Sequence, residues 1–301
     1  MRIIIIGSKG FIGSHAYKYF SSVDKATCWG CDVVVDYPAA NYFLLDNTTS
    51  DFNELFDKIP FDVCVNCSGA ASVNDSLNHP LRDFSLNTYN VIRILDAIKK
   101  HAPACRFINL SSAAVYGNPV SLPIKEMDAC LPVSPYGKHK LFAEELCKEY
   151  NEHFNSQTCS LRIFSAYGPG LKKQILWDIF KKSQDGGTVT LFGTGNETRD
   201  FIYVADIIRA IELIIKNGSF NAAVYNVASG IEISMKNMAA LLLKEMGYSG
   251  ELIFSGNERP GDPKNWRADI NKLKAMGFEP SFTLENGIKE FVKWLEEEKL
   301  G

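Results

Sequence analysis

No apolar run in this 301-residue chain approaches the roughly 20 residues needed to cross a bilayer. The opening stretch, Met1 to Gly7, lacks the layout of a signal peptide, because its apolar run is too short and leads straight into a turn. It reads as a buried strand of an intracellular, cytoplasmic protein, with no membrane partner expected. Neither sign of charge is in excess. The 32 Lys and Arg nearly cancel the 35 Asp and Glu, leaving a formal charge of −3, so no global field favours nucleic acid or an anionic membrane. Internal repeats, low-complexity tracts and long linkers are missing too. So is metal-knuckle text, despite eight cysteines. Cys28/Cys31 and Cys64/Cys67 have CxxC spacing, but both pairs lie in strand-like text. Residues i and i+3 of a strand point to opposite faces and cannot easily clamp one ion. Cys105, Cys130, Cys147 and Cys159 show no ligand spacing, so the thiols read as structural and no metal is expected.

What is present is a chain 46% hydrophobic, ample for a large core. Strands are predicted at Arg2–Ile6, Thr27–Cys31, Asp62–Cys67, Arg106–Leu110 and Cys159–Ile163. Helices are predicted between them at Phe11–Phe20, Asp51–Lys58, Leu81–Lys100 and Pro135–His153. Alternating β and α segments with short connectors imply an α/β fold, a Rossmann-type doubly wound parallel sheet. From about Tyr167 Gly and Pro become frequent, and the helices Ile175–Lys182 and Met235–Met246 stand farther apart. This part is expected to be a smaller C-terminal substrate-binding region. The expected division is residues 1–165 as the dinucleotide domain, with about 200–228 returning to it, and 166–199 with 229–301 as the substrate region.

The first strand runs into Gly7-Ser-Lys-Gly10-Phe11-Ile12-Gly13. Gly7 permits a tight turn, Gly10 lets backbone approach a pyrophosphate, and Gly13 lets helix pack on strand. The helix N-terminus adds amide donors and a partial positive charge. An ordinary strand-to-helix turn can carry three glycines, but Asp32 ends the next strand 19 residues after Gly13. A carboxylate there accepts from the adenosine ribose hydroxyls. Val33-Val34-Val35 follow, with no Arg to take a 2′-phosphate, so NAD is favoured over NADP.

The sharpest local feature is Ser134-Pro-Tyr136-Gly-Lys-His-Lys140. Ser134 fits an N-cap and Pro135 the first helical position, placing Tyr136 in the first turn with Lys140 over the same face. A phenol ordinarily titrates near ~10 and is a poor base at neutral pH. A neighbouring ammonium, the positive helix end and a bound nicotinamide would all favour phenolate. The strand Arg106–Leu110 ends in Ser111-Ser112, and strand carboxyl ends face the cofactor crevice, so Ser112 can hold the same substrate oxygen as Tyr136.

The motifs GSKGFIG, LSSAAVYG, SPYGKHK, LRIFSAYGPG, LFGTGNETRDFIYVADI, YNVASG and RPGDP, in this order, resemble the extended short-chain dehydrogenase/reductases that act on nucleotide sugars. The likeness spans nearly the whole chain and is greatest to UDP-glucose 4-epimerases. It implies Ser112, Tyr136 and Lys140 as the catalytic triad, Asp46 and Asn47 near adenine, and Asn87 in the cofactor-side network. It also implies Arg199, Arg259 and Asp262 at the nucleotide-diphosphate site, with Phe192 by the base. Fixed, bidentate donors are what a sugar diphosphate needs while the sugar reorients. Related enzymes usually pair as homodimers through the helices matching Leu81–Lys100 and Pro135–His153.

Within the family, 4,6-dehydratases carry Asp-Glu directly after the serine or threonine. This chain has Ala113-Ala114, so elimination lacks its proton carriers. Three readings stay open. An NAD-dependent epimerase would oxidise a sugar hydroxyl at C4 and reduce the 4-keto sugar on its other face. A reductase would take a 4-keto-6-deoxy sugar nucleotide and reduce it once with NAD(P)H. A non-catalytic NAD sensor would have eroded its triad, which here is intact. Two departures from the epimerase pattern stand out. Ser165 replaces the usual Asn after the Leu-Arg-x-Phe strand, with Gln174 able to compensate, and Trp266 occupies the position of the sugar-size gate, favouring a non-acetylated hexose.

Overall fold

The computed structural model describes residues 1–36, 40–46, 51–257, 261 and 263–300. In chain order the first half comprises β1 (Arg2–Ile6), α1 (Phe11–Ser22), β2 (Thr27–Asp32), β3 (Tyr42–Leu44), α2 (Asn53–Lys58) and β4 (Val63–Asn66). Then come α3 (Val73–Asn78), α4 (Pro80–Phe84), a π-helical turn at Ser85–Tyr89, α5 (Asn90–His101), β5 (Arg106–Ser112), α6 (Pro135–Phe154) and β6 (Thr158–Ile163). The second half adds β7 (Ser165–Tyr167), α7 (Gln174–Gln184), β8 (Thr188–Leu191), β9 (Thr198–Arg199), β10 (Phe201–Tyr203), α8 (Val204–Asn217) and β11 (Asn221–Val227). It closes with β12 (Ile233–Ser234), α9 (Met235–Glu245), β13 (Glu251–Phe254), α10 (Asn271–Lys274) and α11 (Leu284–Leu300).

Seven strands form one parallel sheet in the order β3-β2-β1-β4-β5-β6-β11. The order reverses between β1 and β4, so the loops leaving their carboxyl ends diverge and open a crevice. The apolar run of β1 follows from burial on both faces. Ile3 and Ile5 join the core under α1 and α8, whereas Ile4 and Ile6 join the core under α2, α5 and α6. The α8 side chains Ile207, Ile208, Ile211, Ile214 and Ile215 are buried against the first of these cores, each stabilising by about 1.5–3 kcal/mol. The cysteine pairs split as strand geometry requires. Cys28 and Cys67 face one core, Cys31 and Cys64 the other, and all eight thiols are free.

The helix expected at Leu81–Lys100 is interrupted. The segment begins at Pro80 and passes through the π turn before α5. A single helical period fitted to Leu86, Ile94, Leu95 and Ile98 does not register the extra residue that a π turn accommodates. The consequence is local: Asp83, Asn87 and Thr88 turn inward and are buried, before Val91, Ile94, Leu95 and Ile98 resume the apolar face.

Past β6, β7 pairs with β10 and β8 with β13 in parallel, and β9 with β12 antiparallel. These strands, of two to four residues, are too short to announce themselves by alternation. A third core gathers Leu171, Leu176 and Ile179 with Val189, Met238, Leu242, Ile288 and Phe291.

Candidate active site

The crevice edge is built from backbone. Gly7 adopts φ +79°, and a methyl group there would lie 2.7 Å from the Ser68 amide. A methyl on Gly13 would fall on the Gly7 carbonyl, so α1 packs onto the turn only because that residue has no side chain. Gly10 is the N-cap of α1 and supplies no side-chain cap, leaving the first-turn amides of α1 free of that partner. Phe11 turns toward the third core and Ile12 toward the first. Asp32 braces the turn: its carboxylate accepts from the Lys9 amide at 2.8 Å and the Val33 amide at 2.7 Å. The buried Ser8 hydroxyl has no partner among the described residues. A glycine cradle with an orphaned buried hydroxyl and a flanking carboxylate fits a dinucleotide. Asp46 is exposed on the loop after β3, on the same side as Asp32 through the β2–β3 pairing. Asn47 lies outside the described residues.

Ser112, Tyr136 and Lys140 converge at the carboxyl end of β5. Ser134 caps α6 by accepting from the Gly137 amide at 3.2 Å, with Pro135 at the first helical position. The Tyr136 amide is held by the Ser76 hydroxyl at 3.1 Å. Burial pushes the Tyr136 phenol up to about 12; the Ser112 hydroxyl pulls the other way, and Asp83 adds to the rise. Burial drives the Lys140 ammonium down to about 8, against the pull of Asp83. Among the protein's own groups desolvation outweighs the pull toward phenolate and disfavours both charged forms. Lys140 Nζ donates to the Leu110 carbonyl at 2.9 Å.

The inward-turned residues of the π turn complete this wall. Asn87 donates to the Ala70 carbonyl at 3.1 Å and to Asp83 at 3.0 Å, while its own carbonyl oxygen is buried without a partner among the described residues. Asp83 also meets His139 Nδ1 at 2.6 Å. Gly69 (φ +116°) admits both neighbours: a side chain there would run into Asn87 and approach Lys140 Nζ to 3.5 Å. Asp83 and His139 escaped the sequence reading, because a buried pair joined across α4 and α6 has no local signature.

Ala113, Ala114, Tyr116, Phe164 and Trp266 form one buried cluster with Tyr136. Trp266 is locked, its indole N–H donating to the Gly117 carbonyl at 3.0 Å and its ring lying edge-on to Phe164. Arg199 stacks over that ring, its guanidinium carbon 5.3 Å from the centroid, and donates to the carbonyls of Thr198 and Lys264. Phe192 is exposed beyond β8. Gln174 begins α7 exposed, at φ +64°. Arg259 and Asp262 lie outside the described residues, although Gly261 between them packs on Val73 and Ser134.

Lys173 was not foreseen. The turn before it docks on α1, with His15 Nε2 2.8 Å from the Pro169 carbonyl. The Lys173 ammonium is partly desolvated, which lowers its pKa, and its charge is felt at Lys140. Its neighbourhood to the Gly168-Pro-Gly170 turn was the available signal.

The model of the NAD-dependent epimerase/dehydratase family matches residues 3–228. The chain belongs to that family. NAD is its cofactor, and the central sheet is the family's Rossmann-like fold. Among curated relatives of this family member is a putative UDP-glucose 4-epimerase of Methanocaldococcus jannaschii, 29% identical, with 97% of this chain and 98% of the relative aligned. A solved UDP-glucuronic acid 4-epimerase of Bacillus cereus, bound to UDP-glucuronic acid and NAD, superposes with a TM-score of 0.90 at 25% identity, covering 99% of this chain and all of the other. A UDP-glucose 4-epimerase of Thermotoga maritima with UDP-glucose gives 0.88 at 25% identity, with 99% of this chain and 100% of that one covered.

Proposed function

We infer that the protein epimerises a nucleotide-diphosphate sugar, a UDP-hexose at C4, through a transient 4-keto sugar. One observation carries the reading: Ser112, Tyr136 and Lys140 come together at the end of β5, and the two residues after Ser112, packed in one cluster with Tyr136, are Ala113-Ala114, with no carboxylate to expel water. The similarity to UDP-sugar 4-epimerases supports it. The bound NAD would supply the acceptor and donor of hydride at the sugar carbon. Tyr136 takes the proton of the C4 hydroxyl and later returns it, and Ser112 fixes that oxygen. Lys140 and Asn87 stand on the cofactor side of the phenol. Gly7, Gly10, Phe11, Ile12, Gly13 and Asp32, with Asp46 and Asn47, hold the dinucleotide. Arg199, Arg259, Asp262 and Gln174, with Lys173 as a further cation, hold the diphosphate while the sugar turns, and Phe192 lies by the base.

Residues 1–165 with about 200–228 serve as the cofactor domain in this reading, and 166–199 with 229–301 cover the substrate. Leu81, Phe84 and Phe142 expose apolar surface on α4 and α6, which supports pairing into a homodimer through these helices. Eight unpaired thiols suit the reducing cytoplasm.

The deciding assay incubates the purified protein with UDP-glucose and no added cofactor. UDP-galactose should appear. Absence of turnover, together with NAD(P)H-dependent consumption of a 4-keto-6-deoxy sugar nucleotide, would move the function to a reductase. The packed indole of Trp266 leaves little room for an N-acetyl group, so Trp266→Ala should gain activity on UDP-N-acetylglucosamine relative to UDP-glucose. It should also lose roughly 3 kcal/mol or more of stability, as buried aromatic truncations do. A variant that folds and shows no such gain removes Trp266 as the size gate.

A further inference from the structure

The glycine turn carries a cation where the adenosine ribose is expected. Lys9 sits between Gly7 and Gly10, its amide donating to the Asp32 carboxylate at 2.8 Å. Its side chain crosses the face of Tyr42, with Nζ 5.4 Å from the ring centroid, and ends in an ion pair with Asp36. Asp36 lies four residues beyond Asp32 in the segment leaving β2. The Lys9 and Asp36 side chains are only about one-third and one-fifth exposed, 33% and 19%, so the pair is partly shielded from solvent. Tyr42 is itself anchored, its hydroxyl donating to the Val34 carbonyl.

Two opposed demands meet here. Asp32 suits a ribose with free hydroxyls and repels a 2′-phosphate. A lysine beside it would do the reverse, because an ammonium is a ready phosphate partner. We propose that Asp36 sets the cofactor choice of this chain by holding Lys9 in an ion pair, so that a lysine placed to receive a 2′-phosphate is kept from it and NAD is selected over NADP. Selection is thus shared between the carboxylate that meets the ribose and a second one that meets only the lysine. Asp36 acts through Lys9 and is a positioning residue. The inference rests on the NAD-dependent reading of the Gly7–Gly13 turn.

The test equilibrates purified protein with equal concentrations of NAD+ and NADP+ in excess, denatures it, and identifies the released nucleotide chromatographically. Wild type should release NAD+ almost alone. Asp36→Asn should raise the NADP+ to NAD+ ratio on the order of five- to tenfold, the scale of one partly shielded charge contact. The gain should shrink with added salt. Asp36→Glu, which keeps the pair, should behave as wild type, and Lys9→Gln placed on Asp36→Asn should abolish the gain. An unchanged ratio in Asp36→Asn overturns the inference, as does a gain that survives loss of the lysine. A wild type already rich in NADP+ also overturns it. Release of neither nucleotide removes the dinucleotide reading itself, which separates the two failures.

Discussion

Two glycine-bearing turns meet beside the crevice, and they are built in different ways. Gly7–Gly13 joins β1 to α1, and the stretch from Gly168 to Gln174 joins β7 to α7. Both are strand-to-helix turns with positive-φ glycines, Gly7 in the first and Gly168 and Gly170 in the second. They touch where His15 meets the Pro169 carbonyl, and a methyl on Gly170 would come to 3.9 Å from Phe11 and 4.0 Å from His15. In the first turn backbone is the instrument, and Gly7 and Gly13 are fixed by what would collide with them. In the second, a methyl on Gly168 would strike the Val204 side chain at 2.7 Å, one on Gly170 would meet only ordinary contacts, and the proposed substrate contacts are side chains, Lys173 and Gln174. A turn that reads with its backbone tolerates almost no substitution. One that reads with side chains changes its specificity cheaply.

The largest effect should come from breaking the first turn. In Gly13→Ala the methyl would strike the Gly7 carbonyl, backbone that cannot swing aside. Bound NAD should be lost from the purified protein, measured by its release on denaturation, along with epimerase activity. Gly170→Ala should retain its NAD, since a Cβ there meets nothing closer than 3.9 Å, at the cost of a strained φ of +91°. Equal loss in the two variants would erase the distinction between the turns.

Lys140 offers the next largest effect. Lys140→Met should lower the epimerisation rate by about 10²–10⁴-fold, the usual worth of acid–base machinery. It should also raise stability at neutral pH. The ammonium titrates near 8 in the folded protein against an ordinary 10.5, so folding buries a charge throughout the range below about 8. That penalty fades as pH rises from the folded value to the unfolded one. Against the lost Leu110 hydrogen bond, a net gain of roughly 1–3 kcal/mol is expected. The difference in Tm between variant and wild type should therefore shrink between pH 7 and pH 10. A difference independent of pH would mean that Lys140 is not buried as an ammonium.

The sheet was legible because burial on both faces forces runs such as Ile3–Ile6, and the cradle because steric exclusion leaves glycine alone at Gly7 and Gly13. Ser134 and Pro135 announced α6 through capping chemistry that acts within one turn. What escaped depends on distant partners. The π turn follows from how Asp83 and Asn87 meet α6 and the Ala70 carbonyl, not from the period of its own residues. Lys9 has no local signal between its glycines, because Asp36 and Tyr42 meet it only in the fold. The phenol was expected to favour phenolate beside an ammonium, a helix end and a bound nicotinamide; among the protein's own groups burial pulls harder the other way. Interactions confined to one turn of chain can be read from sequence; those closed by the fold cannot.

The smallest expected effect tests the second turn most directly. Lys173→Gln keeps length and polarity but removes the cation. If the turn reads an anionic substrate group with this side chain, KM for the nucleotide sugar should rise about two- to tenfold with kcat nearly unchanged, the scale of one partly shielded charge contact. Bound NAD should stay in place, because the first turn holds it with backbone. The same substitution carries a second signature. Lys173 contributes to the lowered pKa of Lys140 by like-charge repulsion, so removing it should move the Lys140 titration slightly upward. A rate profile that depends on the Lys140 ammonium should then hold its activity to slightly higher pH. Lys173→Arg, which preserves the charge, should restore both KM and the profile. Should Lys173→Gln release NAD while leaving KM for the sugar unchanged, the two turns would share one ligand, and the division between backbone and side-chain recognition would have to be drawn elsewhere.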